Sequence, residues 1–203
     1  SVAVAKKQTI EEIVLLKFKP LLGKTDKELV KQFKIEYINH NVKDYHSRLS
    51  KAIVKAIFDV PKNKDIENYI EEFEKAEIKI KTVRLKENNL PKEDISFPNF
   101  QYEEIAIEEW DESEFKDILE HKFLFIFFQF EGSKLVLRKA KFWNMPQKDI
   151  LEAKKVWSKT KELVLEGQIV KGYKIDRNGK QSRITYFPGK EFNAVSHVRP
   201  HTS

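Results

Sequence analysis

The sequence predicts a mixed α/β domain, and three observations carry that prediction. Apolar residues recur at helical spacing as far as residue 75, the period drops to two at Ala76, and an unbroken apolar run from Phe123 to Phe128 demands a strand covered on both faces. Apolar residues make up 40% of the 203 positions and aromatics 12%, enough for a real core.

The elements follow in order. A first helix runs from Ile10 to Phe18, before Pro20. A second starts at Thr25, where Thr25 and Glu28 form a capping-box pattern ahead of Leu29, Val30 and Phe33. Tyr45, Leu49, Ala52, Ile53, Ala56 and Ile57 mark a helix over 43–58, with Lys51 and Lys55 one turn apart at its edge and Pro61 beyond its stop. A helix over 65–75 packs Ile66, Ile70 and Phe73. The alternation of Ile78 and Ile80 with Glu77, Lys79 and Lys81 then predicts a strand over 76–85. Asn88, Asn89, Pro91 and Pro98 make 86–99 a loop, followed by a strand at about 101–107 and a short helix at 113–120. The central strand spans 121–130, and Glu131-Gly132 turns it into an antiparallel neighbour over 135–142. Pro146 precedes a long helix, 147–166, closed by Gly167. Asn178-Gly179 joins 169–175 to 181–187 as a hairpin, and a polar tail follows Pro188.

Several function classes are excluded. No Gly-x-Gly-x-x-Gly or phosphate-binding loop is present, and no internal repeat. The chain has no Cys, which rules out a Cys-based zinc site and suits a reducing cytoplasm. Its five His lack metal-binding spacing. No apolar run approaches the length of a membrane span, and the start is too quickly polar for a signal peptide. The missing initiator Met suggests a fragment of a larger chain.

Charge is distributed unevenly. Residues 1–131 carry 22 basic and 26 acidic residues, whereas 132–203 carry 16 basic and 6 acidic ones. The net charge of +6 therefore arises entirely in the last third, a reason to expect a polyanion partner.

A metal-dependent nuclease needs clustered carboxylates around Mg²⁺ and a Lys beside the attacking water. Glu77-Ile78-Lys79 supplies a Glu-x-Lys pair on one strand face, with Asp65 or Glu72 as upstream acids. A solvated strand face has the same composition.

Several short motifs together resemble one family. These are Leu22-Gly23-Lys24-Thr25, Lys79-Ile80-Lys81-Thr82, Ser96-Phe97-Pro98, His121-Lys122, Leu165-Glu166-Gly167-Gln168 and His197-Val198-Arg199-Pro200-His201. The chain is similar to the MutH-like mismatch-repair and GATC-specific type II restriction endonucleases, and most similar to the catalytically degenerate C-terminal domain of the staphylococcal type. The resemblance implies a restriction-endonuclease-like fold: one domain over 1–203, at most divided into two lobes around a cleft, with a mixed central sheet, flanking helices, and a basic C-terminal hairpin and loop lining a DNA cleft.

By that resemblance the family's metal-binding Glu falls on Lys79, its catalytic Lys on Lys81, its metal-binding Asp on Glu72 and an additional helical Glu on Lys55. Such a site has too few oxygens for Mg²⁺, which would serve only a separate active domain of the parent enzyme. The implied function is noncatalytic binding of double-stranded GATC DNA in support of an N-terminal catalytic domain. Implied DNA contacts are Phe97, His197, Arg199 and His201, with Lys180, Arg183 and Lys190 on phosphates; Tyr173 and Tyr186 pack on or near the hairpin. Two alternatives stay open. A two-residue slip makes Glu72, Glu77 and Lys79 an Mg²⁺-dependent site, and a purely structural pseudo-dimer role needs no site.

Overall fold

A computed structural model of the chain describes residues 8–36, 40–169 and 171–199, together with all their side chains except those of Lys171, Ser182, Arg183 and Thr185. The chain divides into two compact units, one formed by residues 1–95 and 122–144 and the other by 96–121 and 145–203.

The first unit is a mixed sheet flanked by helices. Helix α1 (Ile10–Phe18) and helix α2 (Asp26–Gln32) both start with a complete capping box, from Thr9 with Glu12 and from Thr25 with Glu28. Each box satisfies backbone N–H groups that the first helical turn leaves without partners. Helix α3 (Tyr45–Ile57) buries Leu49, Ile53, Val54 and Ile57 along one stripe. The expected helix over 65–75 is two short ones, α4 (Ile66–Tyr69) and α5 (Glu71–Lys75). Ile70 separates them in an extended conformation (φ −99°, ψ 105°) and packs against the core beside the fully buried Phe73.

Strand β1 (Ile78–Leu85) pairs in parallel with β2 (Lys122–Glu131), which pairs antiparallel with β3 (Lys134–Asn144). The sheet order is β1-β2-β3, so β2 is central, as its apolar run requires. Leu124, Ile126 and Phe128 on one β2 face join the helices in the core, with Leu135 and Leu137 of β3 after a register shift at Phe127/Phe128. The other face carries Phe123, Phe125 and Phe127 as a ladder, and Phe123 and Phe125 also meet Trp143. The outer edge of β3 is met by the turn before α2. Gly23, at φ +85°, donates its N–H to Leu137 O (2.8 Å) in a left-handed conformation that side chains disfavour.

The second unit is helical with one hairpin. Residues 101–107, expected as a strand, form helix α6 (Tyr102–Ile107). Gln101 and Glu104 make reciprocal capping bonds, and Ile105 is buried while Ile107 is 84% exposed. A strand would have placed both isoleucines on one face; the core accepts only Ile105. Helix α7 (Glu114–Glu120) and helix α8 (Gln147–Leu165) complete the helical part. Its core holds Ile105, Trp110, Leu119, Ile150, Ala153 and Trp157, with the two indoles 5.6 Å apart in an edge contact. Strands β4 (Lys171–Ile175) and β5 (Gln181–Thr185) form a separate two-stranded hairpin, as Asn178-Gly179 indicates.

No helix among the described residues is long and apolar enough to cross a membrane.

Candidate nucleic-acid interface

The first candidate region lies along β1 in the first unit. Lys79 and Lys81 alternate with Ile78 and Ile80, so the strand period separates the lysines from the isoleucines that enter the core. Among the described residues, β1 has a strand neighbour on one side only. On its other side, α4 presents Glu67, whose Oε1 accepts the Ile80 N–H at 2.6 Å. Its Oε2 lies 3.9 Å from Lys79 Nζ, with both side chains about one-third exposed. One carboxylate therefore both caps an open sheet edge and balances a lysine.

Burial pushes the Lys81 ammonium below the ordinary lysine range. Glu67 opposes that shift, and the positive charges of Lys51 and Lys79 reinforce it. Lys51 of α3 and Lys79 of β1 thus add positive charge around Lys81, and Glu67 offsets part of it. Positive charge held partly out of water is an arrangement that a phosphate oxygen relieves, through charge-assisted hydrogen bonds.

The helical lysine acting on Lys81 is Lys51, one turn from the Lys55 picked out by resemblance. Lys55 is half-buried and donates from Nζ to Lys62 O at 2.8 Å, closing the turn after α3. Glu72 is exposed on α5, and its carbonyl accepts the Ala76 N–H. Glu77 precedes β1, which begins at Ile78 rather than Ala76; Glu77 is exposed and left-handed at φ 50°. That kink carries the chain from α5 into β1 without a loop, at a cost of roughly 1 kcal/mol for a residue with a Cβ. Glu77 therefore stands one residue before the strand that carries Lys79.

The resemblance implies Mg²⁺ chemistry for an active member, and the residues around Lys79 do not fit that ion. Glu67 is a carboxylate beside Lys79, and its oxygens already serve Ile80 N–H and Lys79. Among the described residues, no three His, Cys, Asp or Glu side chains converge as a metal site. A hard cation takes six or more oxygens, and neighbouring ammonium groups repel it.

The second region is the end of the second unit. In the hairpin turn, Asp176 accepts the N–H groups of Asn178 and Lys180, both at 2.9 Å, and leaves the Lys180 side chain exposed. Arg183 lies in β5 opposite Tyr173, while its side chain is outside the described residues. Tyr173 and Tyr186 are exposed, at 62% and 63%, and the Tyr186 hydroxyl lies beside Gly172 of β4. Lys190 is exposed in the following turn. Beyond it, Arg199 Nε donates to His197 Nε2 at 3.0 Å, and the Val198 N–H donates to Pro188 O at 2.8 Å. Asn193, which no motif had singled out, is buried beneath this loop and bonded to α8. Pro200 and His201 lie outside the described residues. Phe97 is half-buried 5.8 Å from Phe115, packed on the core of its unit.

Glu67 escaped the sequence reading because the family spacing directs attention seven residues before Lys79. Helical phase offered a signal: Glu67 sits one residue beyond Ile66, at the border of the buried stripe and level with the strand.

No protein-family model matches the chain. A type II restriction enzyme, Sau3AI of Staphylococcus aureus, is 34% identical over 209 residues, covering 98% of this chain. The chain spans only 42% of that relative's length. Identity at this level, sustained across almost all of the chain, makes it homologous to the Sau3AI-like type II restriction enzymes.

Proposed function

We propose that this chain is a noncatalytic, double-stranded DNA-binding and regulatory domain of a type II restriction endonuclease. It holds a GATC site through Arg199 and neighbouring residues and assists a separate catalytic domain, in a cytoplasmic setting. The observation carrying this reading is the placement of Lys79 and Lys81 on one face of β1, with Glu67 beside Lys79 and the charges of Lys51 and Lys79 adding to the burial of Lys81. Lysines bind phosphate oxygens directly, whereas a cleavage centre needs carboxylates to fix a divalent ion.

Arg199 has the donors to meet guanine O6 and N7, and Lys180, Arg183 and Lys190 supply phosphate contacts. The exposed tyrosines of the hairpin add amphipathic surface beside them. Mg²⁺ belongs to the catalytic domain of the parent enzyme.

The test is titration of the chain with GATC and scrambled duplexes at several salt concentrations, with Mg²⁺ present and product length followed. Affinity is expected to fall steeply with salt and to favour GATC, without cleavage. Mg²⁺-dependent cutting, abolished by Glu72→Gln or Glu77→Gln, would establish an active endonuclease instead. Binding indifferent to salt would leave the domain a structural partner of the catalytic one.

A further inference from the structure

The loop bearing His197 and Arg199 follows β5 and, among the described residues, joins no sheet, so its geometry needs a separate cause. Asn193 supplies it. The residue is only 8% exposed, a rare position for an amide unless its hydrogen bonds are made. Its Nδ2 donates to the Glu152 side chain at 2.9 Å and to the Glu152 carbonyl at 3.3 Å, which ties it to α8. Its Oδ1 accepts the N–H groups of Val195, at 2.8 Å, and Ser196, at 3.2 Å. Two residues later the Val198 N–H closes onto Pro188 O. The segment 193–198 is therefore fixed at both ends, and Arg199 follows directly.

We propose that Asn193, clamped to Glu152 of α8, is the positioning residue that holds the Arg199 loop in the conformation that discriminates DNA sequence. The inference rests on the reading of Arg199 as a base contact. An amide is needed because one group must donate to α8 while its other atom accepts from the loop. Aspartate keeps the second role and loses the first, and its charge opposes Glu152. Leucine loses both. Base discrimination tolerates little displacement, because a bidentate pair depends on two donors arriving together. Phosphate contacts by lysine are more forgiving, so positioning governs sequence preference more than overall affinity.

The experiment uses the full chain and measures affinity for GATC and scrambled duplexes, with thermal melts as control. Arg199→Ala is expected to reduce the GATC preference roughly tenfold, the discrimination of one good base contact. Asn193→Asp should reduce it similarly, with affinity for scrambled duplex unchanged. Combining Asn193→Asp with Arg199→Ala should add little to Arg199→Ala alone, because both remove one interaction. Asn193→Asp with Glu152→Gln reverses the donor and acceptor, and should recover most of the preference. Preference retained in Asn193→Asp but lost in Arg199→Ala would overturn the positioning role and leave the base contact standing. Preference unchanged in Arg199→Ala would overturn the base contact itself, and the inference with it. Loss of scrambled-duplex affinity in both Asn193→Asp and the reversed pair would show a merely structural role.

Discussion

Replacing Lys81 by Met tests the proposed phosphate grip, because it predicts opposite changes in stability and in binding. Burial disfavours the Lys81 ammonium, so its folded-state pKa lies below the ordinary 10.5. Below the folded value both states carry the proton, and the whole penalty for burying the charge is present; it is relieved only as pH rises toward 10.5. At neutral pH the methionine chain fills similar space without that charge. Loss of the partly buried charge should raise stability, read as an increase in melting temperature. Binding should move the other way. Each phosphate contact contributes about 0.9 to the slope of log affinity against log salt. With Lys51, Lys79 and Lys81 all engaged, the cluster accounts for a slope of about −2.7, or a roughly 40-fold loss of affinity over a fourfold rise in salt. Lys81→Met should remove about 0.9 of that slope. Fluorescence anisotropy with a scrambled duplex at several salt concentrations measures it. An unchanged slope, or a variant both less stable and equally salt-sensitive, would refute the reasoning.

Three further outcomes are expected. Glu67→Gln keeps an oxygen for Ile80 N–H but removes the anion that competes with phosphate for Lys79, so duplex affinity should rise by about two- to fivefold; weaker binding would count against the site. His46 has its pKa lowered by burial and then by Lys92, with Asp26 opposing. Its contribution to stability is thus complete above the ordinary 6.5 and lost as pH falls below it. Melts between about pH 5 and pH 8 should show that loss, and His46→Phe, placed between Tyr45 and Phe130, should reduce it; an identical pH profile would disprove the link. Among the described residues the buried Ser196 hydroxyl has no hydrogen-bond partner, so Ser196→Ala should leave stability unchanged or raise it by about 1 kcal/mol, and a clear fall in melting temperature would contradict this.

The resemblance and the structure point to one region of the chain but to partly different residues. Lys79 and Lys81 were legible because strand alternation fixes which residues share a face, and both stand on β1. Lys55 and Glu72 were chosen by linear spacing, which is fragile where two short helices replace one. Glu67, upstream of the break at Ile70, pairs with Lys79, while Glu72 is exposed on α5. Likewise Lys51 and Lys55 are indistinguishable by pattern, one turn apart on α3, until the neighbouring strand selects between them.

Hydrophobic period and end signals alone determined most of the elements. Ile10–Phe18 lies ahead of Pro20, Thr25 and Glu28 open α2, Phe123–Phe128 lie in the central strand, and Asn178-Gly179 turns the last hairpin. These are contacts between residues close along the chain, and short-range sterics and hydrogen bonding decide them. Residues 101–107 show the limit. Their apolar residues fit either period, and the burial of Ile105 in the cluster with Trp110 and Trp157, with the Gln101–Glu104 capping box, makes them a helix. The same holds for Glu67 against β1 and for Asn193 against α8, bonds that span 13 and 41 positions. No local preference encodes such pairings; the folded backbone brings the groups together, and burial then requires each polar atom to be satisfied.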